Sequence, residues 1–128
     1  MTVLVTVGEG PHAIPVSAAV RAGPRRVLLG LAGGRGSLKR LRANGRVALL
    51  IVCDGTAITA YGQAHVVEEE LTDGVAAVSV EVDDVQDHGR PTFAILDGVS
   101  WRWTDAEAEA RDQQVRSALR RLAERLPG

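Results

Sequence analysis

The stretch Gly33-Gly34-Arg35-Gly36-Ser37-Leu38-Lys39-Arg40-Leu41-Arg42-Ala43-Asn44 decides how this chain is read. Three glycines in four residues make a turn. Ser37 suits a helix N-cap, and Asn44-Gly45 is a stop signal, so a short helix is predicted over Ser37–Asn44. Leu38 and Leu41, three apart, give that helix one apolar stripe. Its charges are placed against the ordinary rule. A helix N-terminus carries partial positive charge and attracts Asp or Glu, yet Arg35 precedes this helix and Lys39 and Arg40 fill its first turn. Each misplaced cation costs about 0.3–1 kcal/mol at a surface site. A bound anion reverses that sign, meets free backbone N–H groups and the Ser37 hydroxyl, and finds close backbone approach at Gly33, Gly34 and Gly36. A solvated basic turn is the competing reading, since G-G-x-G is a weak signal and no Walker-type motif is present.

Outward from this turn the chain reads as strands. Upstream, Thr2–Val7 alternates Val3, Val5 and Val7. His12–Val20 is a second strand, with Pro15 marking an edge or bulge, and Arg26–Leu31 a third; the three make a meander. Downstream, Val47–Cys53 is an apolar run suited to a central strand buried on both faces. Asp54-Gly55 signals a hairpin into Thr56–Val67, kinked at Gly62. Glu68–Gly74 is a polar connection, and Val75–Val85 a further strand. Gln86–Asp97 has no readable pattern. Val99–Trp103 reads as a last strand with both tryptophans on one face. Thr104 and Glu107 form a capping box for an amphipathic helix over Asp105–Leu126. Six to seven strands, a short helix after the third and a C-terminal helix predict a mainly β fold built on a small barrel.

Composition narrows function. The 128 residues imply a single domain, 1–128, with a real core; apolar residues are 45% of the chain. A net charge of −1 excludes broad nucleic-acid or membrane electrostatics. No secretory signal or bilayer-length apolar run is visible, so a soluble, cytoplasmic protein is the expectation. The single cysteine, Cys53, excludes an intrachain disulfide and is expected to be a small buried hydrophobe. His12, His65 and His88 lack metal-ligand spacing, and no metal site is expected. No Ser/His/Asp set assembles. Asp83, Asp84 and Asp87 form an acidic edge that reads as a solvated face. Ser17 could face a ligand or be solvated or backbone-bonded. Trp101 and Trp103 could stack on a planar ring or serve as core or interface.

Taken together, the segment Gly10–Val16, the run R-G-S-L-K-R-L-R-A-N-G-R-V at 35–47, G-x-A at 62–64 and G-V-S-W-R-W at 98–103 resemble the FMN-binding split β-barrel proteins, the pyridoxamine 5′-phosphate oxidase-like group, which includes enzymes using the deazaflavin F420. The resemblance covers nearly the whole chain, though family members usually carry a helix before the first strand. It implies a split β-barrel of six to seven antiparallel strands and a homodimer with FMN or F420 in a cleft between subunits. Arg35, Gly36, Ser37 and Lys39 match the phosphate-binding stretch, where the family often has lysine or arginine at position 37 and asparagine at position 40. Pro15, Val16 and Ser17 match the strand lying along the isoalloxazine ring. Leu29 to Leu31 match the strand whose backbone meets ring or ribityl chain. Trp101 or Trp103 matches a late strand reaching the partner's ligand. The implied activity is a flavin- or deazaflavin-dependent oxidoreductase acting on a small organic substrate. The alternative is a non-catalytic flavin- or haem-binding module, or one that has lost its cofactor. In such chemistry the cofactor transfers hydride while the protein orients it, so a missing acid–base pair does not exclude an enzyme.

Overall fold

The computed structural model describes residues 1–34 and 36–127. Among them are seven strands and two helices: β1 (Thr2–Val7), β2 (Pro11–Val16), β3 (Ala19–Arg21), β4 (Arg26–Ala32), α1 (Gly36–Ala43), β5 (Arg46–Cys53), β6 (Thr56–Thr72), β7 (Val75–Asp87) and α2 (Ala106–Arg125). All strands belong to one antiparallel sheet ordered β2-β1-β5-β6-β7-β4-β3. Its two edge strands, β2 and β3, follow one another in the chain, so Ser17 and Ala18 carry the backbone from one edge to the other. Gly30 N–H donates to Ala18 O at 3.0 Å, and the sheet curls into a barrel.

Alternation along the strands separates two cores. Leu4, Leu29, Leu31, Leu49, Val78 and Val80 face the barrel interior, where Leu38 and Leu41 of α1 plug one end. On the outside, Leu28 and Ala77 pack against Val115, Leu119 and Leu122 of α2. Hydrophobic period therefore assigns each strand's faces, and the 3.6-residue stripe of α2 closes the outer core.

Several expectations change. The second strand breaks into β2 and β3, and Arg26–Ala32 pairs with β3 and β7 rather than continuing a meander. Barrel closure forces that break, because one segment must serve both edges. The polar Glu68–Gly74 connection is mostly strand: β6 runs to Thr72 with its glutamates exposed, and Asp73-Gly74 turns it into β7, Gly74 at φ +74°. Strand β5 is buried on its inner face only, with Ala48 and Leu50 half-buried. Cys53, at its end beside the Asp54-Gly55 turn, is exposed. Residues 88–105 contain no strand, so Val99–Trp103 adds none to the sheet; the segment instead passes the β5–β6 hairpin, where Gly55 N–H donates to Ile95 O at 2.8 Å. The α2 N-cap is Asp105, whose Oδ1 accepts from Glu107 N–H at 2.9 Å, one residue beyond the expected Thr104. The Gly62 kink is present as a register shift between Tyr61 and Gly62. A Cβ on Gly62 would stand 2.2 Å from Glu81 O, so only glycine admits β7 this closely.

Candidate functional site

Strand β4 ends at Ala32, and the chain turns through Gly33, whose N–H donates to Gly74 O at 2.8 Å. Arg35 lies outside the described residues. Helix α1 begins at Gly36 and has no acidic residue in its first turn. It faces the β1–β2 turn, Gly8–Gly10. Between them is a cavity of about 480 Å³, lined by Gly36, Lys39 and Arg40 on one side and Gly8, Glu9, Pro11 and His12 on the other. The Arg40 side chain folds back along α1: a Cβ on Gly36 would stand 2.6 Å from Arg40 Nη1, and one on Gly8 3.7 Å from its stem. Glycines at 8 and 36 thus make room for this guanidinium between turn and helix.

Two further cradles hold the other candidate residues. Pro15, Val16, Ser17 and Leu31 border a cavity of about 170 Å³ with Asp112 and Val115 of α2. Here Ser17 Oγ donates to Asp112 Oδ1 at 2.7 Å, Arg116 Nε donates to Asp112 Oδ2 at 2.8 Å, and Arg116 Nη2 donates to Ser17 O. The Ser17 hydroxyl is therefore engaged by a carboxylate. Trp101 and Trp103 meet edge to face, centroids 5.3 Å apart, over a third cavity of about 440 Å³ shared with Gln113 and Arg116. Leu29 and Leu31 point into the barrel core, 0% and 2% exposed, leaving only their backbone to any ligand.

Ser37 differs from its expected place. It is the second residue of α1, on the buried face beside Leu38 and Leu41, and 1% exposed. Its Oγ has no hydrogen-bond partner among the described residues, and Thr6 Oγ1, on the inner face of β1, is in the same condition. The helix starts one residue earlier than read, which turns position 37 inward instead of leaving it as a cap.

The structure thus groups Gly36 with Lys39, and Pro15, Val16 and Ser17 with Leu31, and leaves the tryptophans in a third place. Sequence reading counted Arg40 among the cations that a bound anion would offset, and left His12, Asp112 and Arg116 out of the site. For His12 a signal existed in the glycines at 8 and 10 that precede it. Asp112 and Arg116 had only i,i+4 spacing, indistinguishable from any solvated helix pair. Among the described residues no three His, Cys, Asp or Glu side chains come together as a metal site, and no helix is long and apolar enough to cross a membrane.

Shape comparison places this architecture among solved structures. A candidate pyridoxamine 5′-phosphate oxidase from Listeria innocua superposes with a TM-score of 0.58 at 16% identity, covering 68% of this chain and 86% of that one. An FMN-binding protein from Syntrophomonas wolfei gives 0.58 at 12% identity, with 70% and 77% covered. A nitrilotriacetate monooxygenase component B homologue from Mycobacterium thermoresistibile gives 0.57 at 17% identity, with 83% and 86% covered. The fold is the split β-barrel. No family sequence model and no curated protein matches the chain by sequence, so the likeness is one of shape. In this split barrel the cavity lined by Lys39, Arg40 and Glu9 lies between the β1–β2 turn and α1, and the outer faces of β3 and β4 lie under α2.

That arrangement bears on whether a flavin phosphate fits. The cavity at α1 offers Lys39, Arg40 and His12 as donors beside a helix N-terminus, a donor set suited to a phosphate, with two cations against the one carboxylate of Glu9 in the lining. The strip along Pro15–Ser17 does not suit an isoalloxazine ring while α2 is seated. Its cavity is smaller than the range of about 300–1,000 Å³ typical of small-molecule sites, and a Cβ on Gly30 would already stand 2.5 Å from Val115 Cγ1.

Proposed function

We propose that this chain binds the phosphate of a flavin or deazaflavin, FMN or F420, at the α1 cavity and serves as a cytoplasmic oxidoreductase for a small organic substrate. The observation that carries the proposal is the cavity at the start of α1 whose lining includes Lys39, Arg40 and His12 beside a single carboxylate, Glu9. The name of the Syntrophomonas FMN-binding protein, which shares the fold, supports the choice of anion. The cofactor supplies hydride transfer when bound. Lys39, Arg40 and His12 hold its phosphate, and Arg35, from the same turn, adds positive charge. The ring lies in a cleft completed by a second copy of the chain, with Trp101 and Trp103 as stacking surfaces. Phe93, Leu96 and Val99, exposed in the same 88–105 segment, supply the apolar contact between copies.

The test compares FMN with riboflavin. Lys39→Ala combined with Arg35→Ala is expected to weaken FMN binding at least tenfold and riboflavin binding little. Equal loss for both ligands contradicts phosphate anchoring.

A second reading is favoured by one observation: α2 is packed over the strip that the resemblance assigns to the ring. A non-catalytic binding module, or a split barrel that has lost its cofactor, needs no open strip there. Hydride exchange between bound cofactor and substrate separates the readings, because a binder retains the cofactor without turning it over.

A further inference from the structure

The barrel has two ends. Helix α1 plugs one; the other, where β4 begins, is open. Register shows what faces inward at that mouth. Leu49 pairs with Ala60 and Ile51 with Ile58, so one row of side chains continues from the core to the rim. Leu49 and Ala60 are buried, whereas Ile51 and Ile58 are only half-buried, as are Val27 and Val82 at the margin of the core. Together these six border a cavity of about 400 Å³, within the usual range for small-molecule sites. A closed apolar core gains nothing from stopping short in this way, because each exposed branched side chain forgoes burial.

The rim is cationic. Arg21 lies on the same face of β3 as the inward-facing Ala19 and pairs with Val27, so it belongs to the interior row despite its charge. Its Nε and Nη2 donate to Gly23 O at 3.0 Å and Pro24 O at 3.4 Å, while Nη1 has no protein acceptor among the described residues. These bonds hold the guanidinium beside the opening. Arg25 borders the same cavity, and neither it nor Arg21 pairs with a carboxylate among the described residues. Arg26, also at the rim, is shared between Pro127 O and Glu81. Strand β4 is seven residues long, so this mouth and the α1 cavity are separated by about 20 Å.

The geometry points to a second binding site at the open end of the barrel, for an amphiphilic organic anion whose apolar body enters between Leu49, Ile51, Ile58 and Val82 and whose carboxylate meets Arg21 and Arg25. The site is independent of the flavin proposal, and either can fail alone.

The experiment is a calorimetric titration of the full chain with sodium decanoate, decanol and acetate, alongside methyl-resolved NMR. Decanoate is expected to bind saturably, one per chain, about tenfold or more tighter than decanol, with acetate not binding, and to shift the Ile51 and Ile58 methyl signals. Arg21→Gln with Arg25→Gln, both exposed changes, is expected to bring decanoate down to the affinity of decanol and leave decanol unchanged. Equal affinity for the two ligands, indifference to the arginine pair, or no saturable binding overturns the proposal. So does a dimer that excludes decanoate and dissociates on Ile58→Lys, which would show that a second copy covers the mouth.

Discussion

Gly30 shows how one residue decides where a helix goes. It sits on the outward face of β4, and the missing side chain is the space that Val115 occupies. Gly30→Ala is expected to destabilise the protein by about 1–3 kcal/mol through overpacking. Val115→Ala, which opens the space, should recover part of the loss in the double variant; urea unfolding of the four proteins measures this, and simple additivity would argue against the contact. Ser37 is a different case. Its buried hydroxyl lacks a partner, and an unpaired buried polar group costs about 1–3 kcal/mol. Ser37→Ala is therefore expected to be neutral or stabilising in the absence of ligand, and a clear loss of stability would show that the hydroxyl is satisfied. Neither residue advertised its role in the sequence. A glycine inside an apolar strand signals close approach of something, but only the fold identifies α2. A serine before a leucine stripe is the ordinary mark of an N-cap, and a shift of one residue turned it inward.

At the scale of elements, the joint between the β2–β3 crossover and α2 rests on Ser17, Asp112 and Arg116. The Asp112 side chain is about 10% exposed and takes hydrogen bonds from both partners. Asp112→Ala leaves the Ser17 hydroxyl and the Arg116 guanidinium without it, and is expected to cost about 1–3 kcal/mol. Hydrogen exchange along α2 should rise with it; unchanged protection would show that Val115, Leu119 and Leu122 hold the helix alone. The Arg46–Asp83 pair is weaker. It spans β6 from β5 to β7 at the Gly62 bulge, and the Arg46 hydrogen bond holds the Asp83 carboxyl below its ordinary range. Its contribution is present above the ordinary carboxylate pKa and is lost as pH falls through the lowered value, and in so exposed a pair salt screens most of it. The strands themselves were legible, from period-two alternation in β1 and β7 and from apolar runs in β4 and β5, although the run in β5 did not reveal that only one of its faces meets the core. What alternation does not report is the partner of each strand. Closure through Ser17 and Ala18, and the pairing of β4 with β7, depend on contacts far apart in sequence. The glutamates of β6 read as a loop because Glu68, Glu69 and Glu70 are consecutive and exposed, while the flanking Val67 and Leu71 pack against the outer core.

For the whole molecule, the split barrel presents an α1 cavity lined by Lys39, Arg40 and Glu9, an outer strip closed by α2, and exposed apolar side chains at Phe93, Leu96 and Val99. A dimer is the expected state at micromolar concentration. Leu96→Asp with Val99→Asp, at residues 82% and 70% exposed, is expected to shift it to monomer by light scattering without loss of secondary structure. A wild-type monomer would remove the shared cleft from the account. The most direct test of the central claim is a fluorescence titration of the purified chain with FMN, F420 and riboflavin side by side. Saturable quenching by at least one of the phosphorylated cofactors is expected, with much weaker binding of riboflavin. Riboflavin binding as tightly as FMN, or no binding by any of the three, would contradict it.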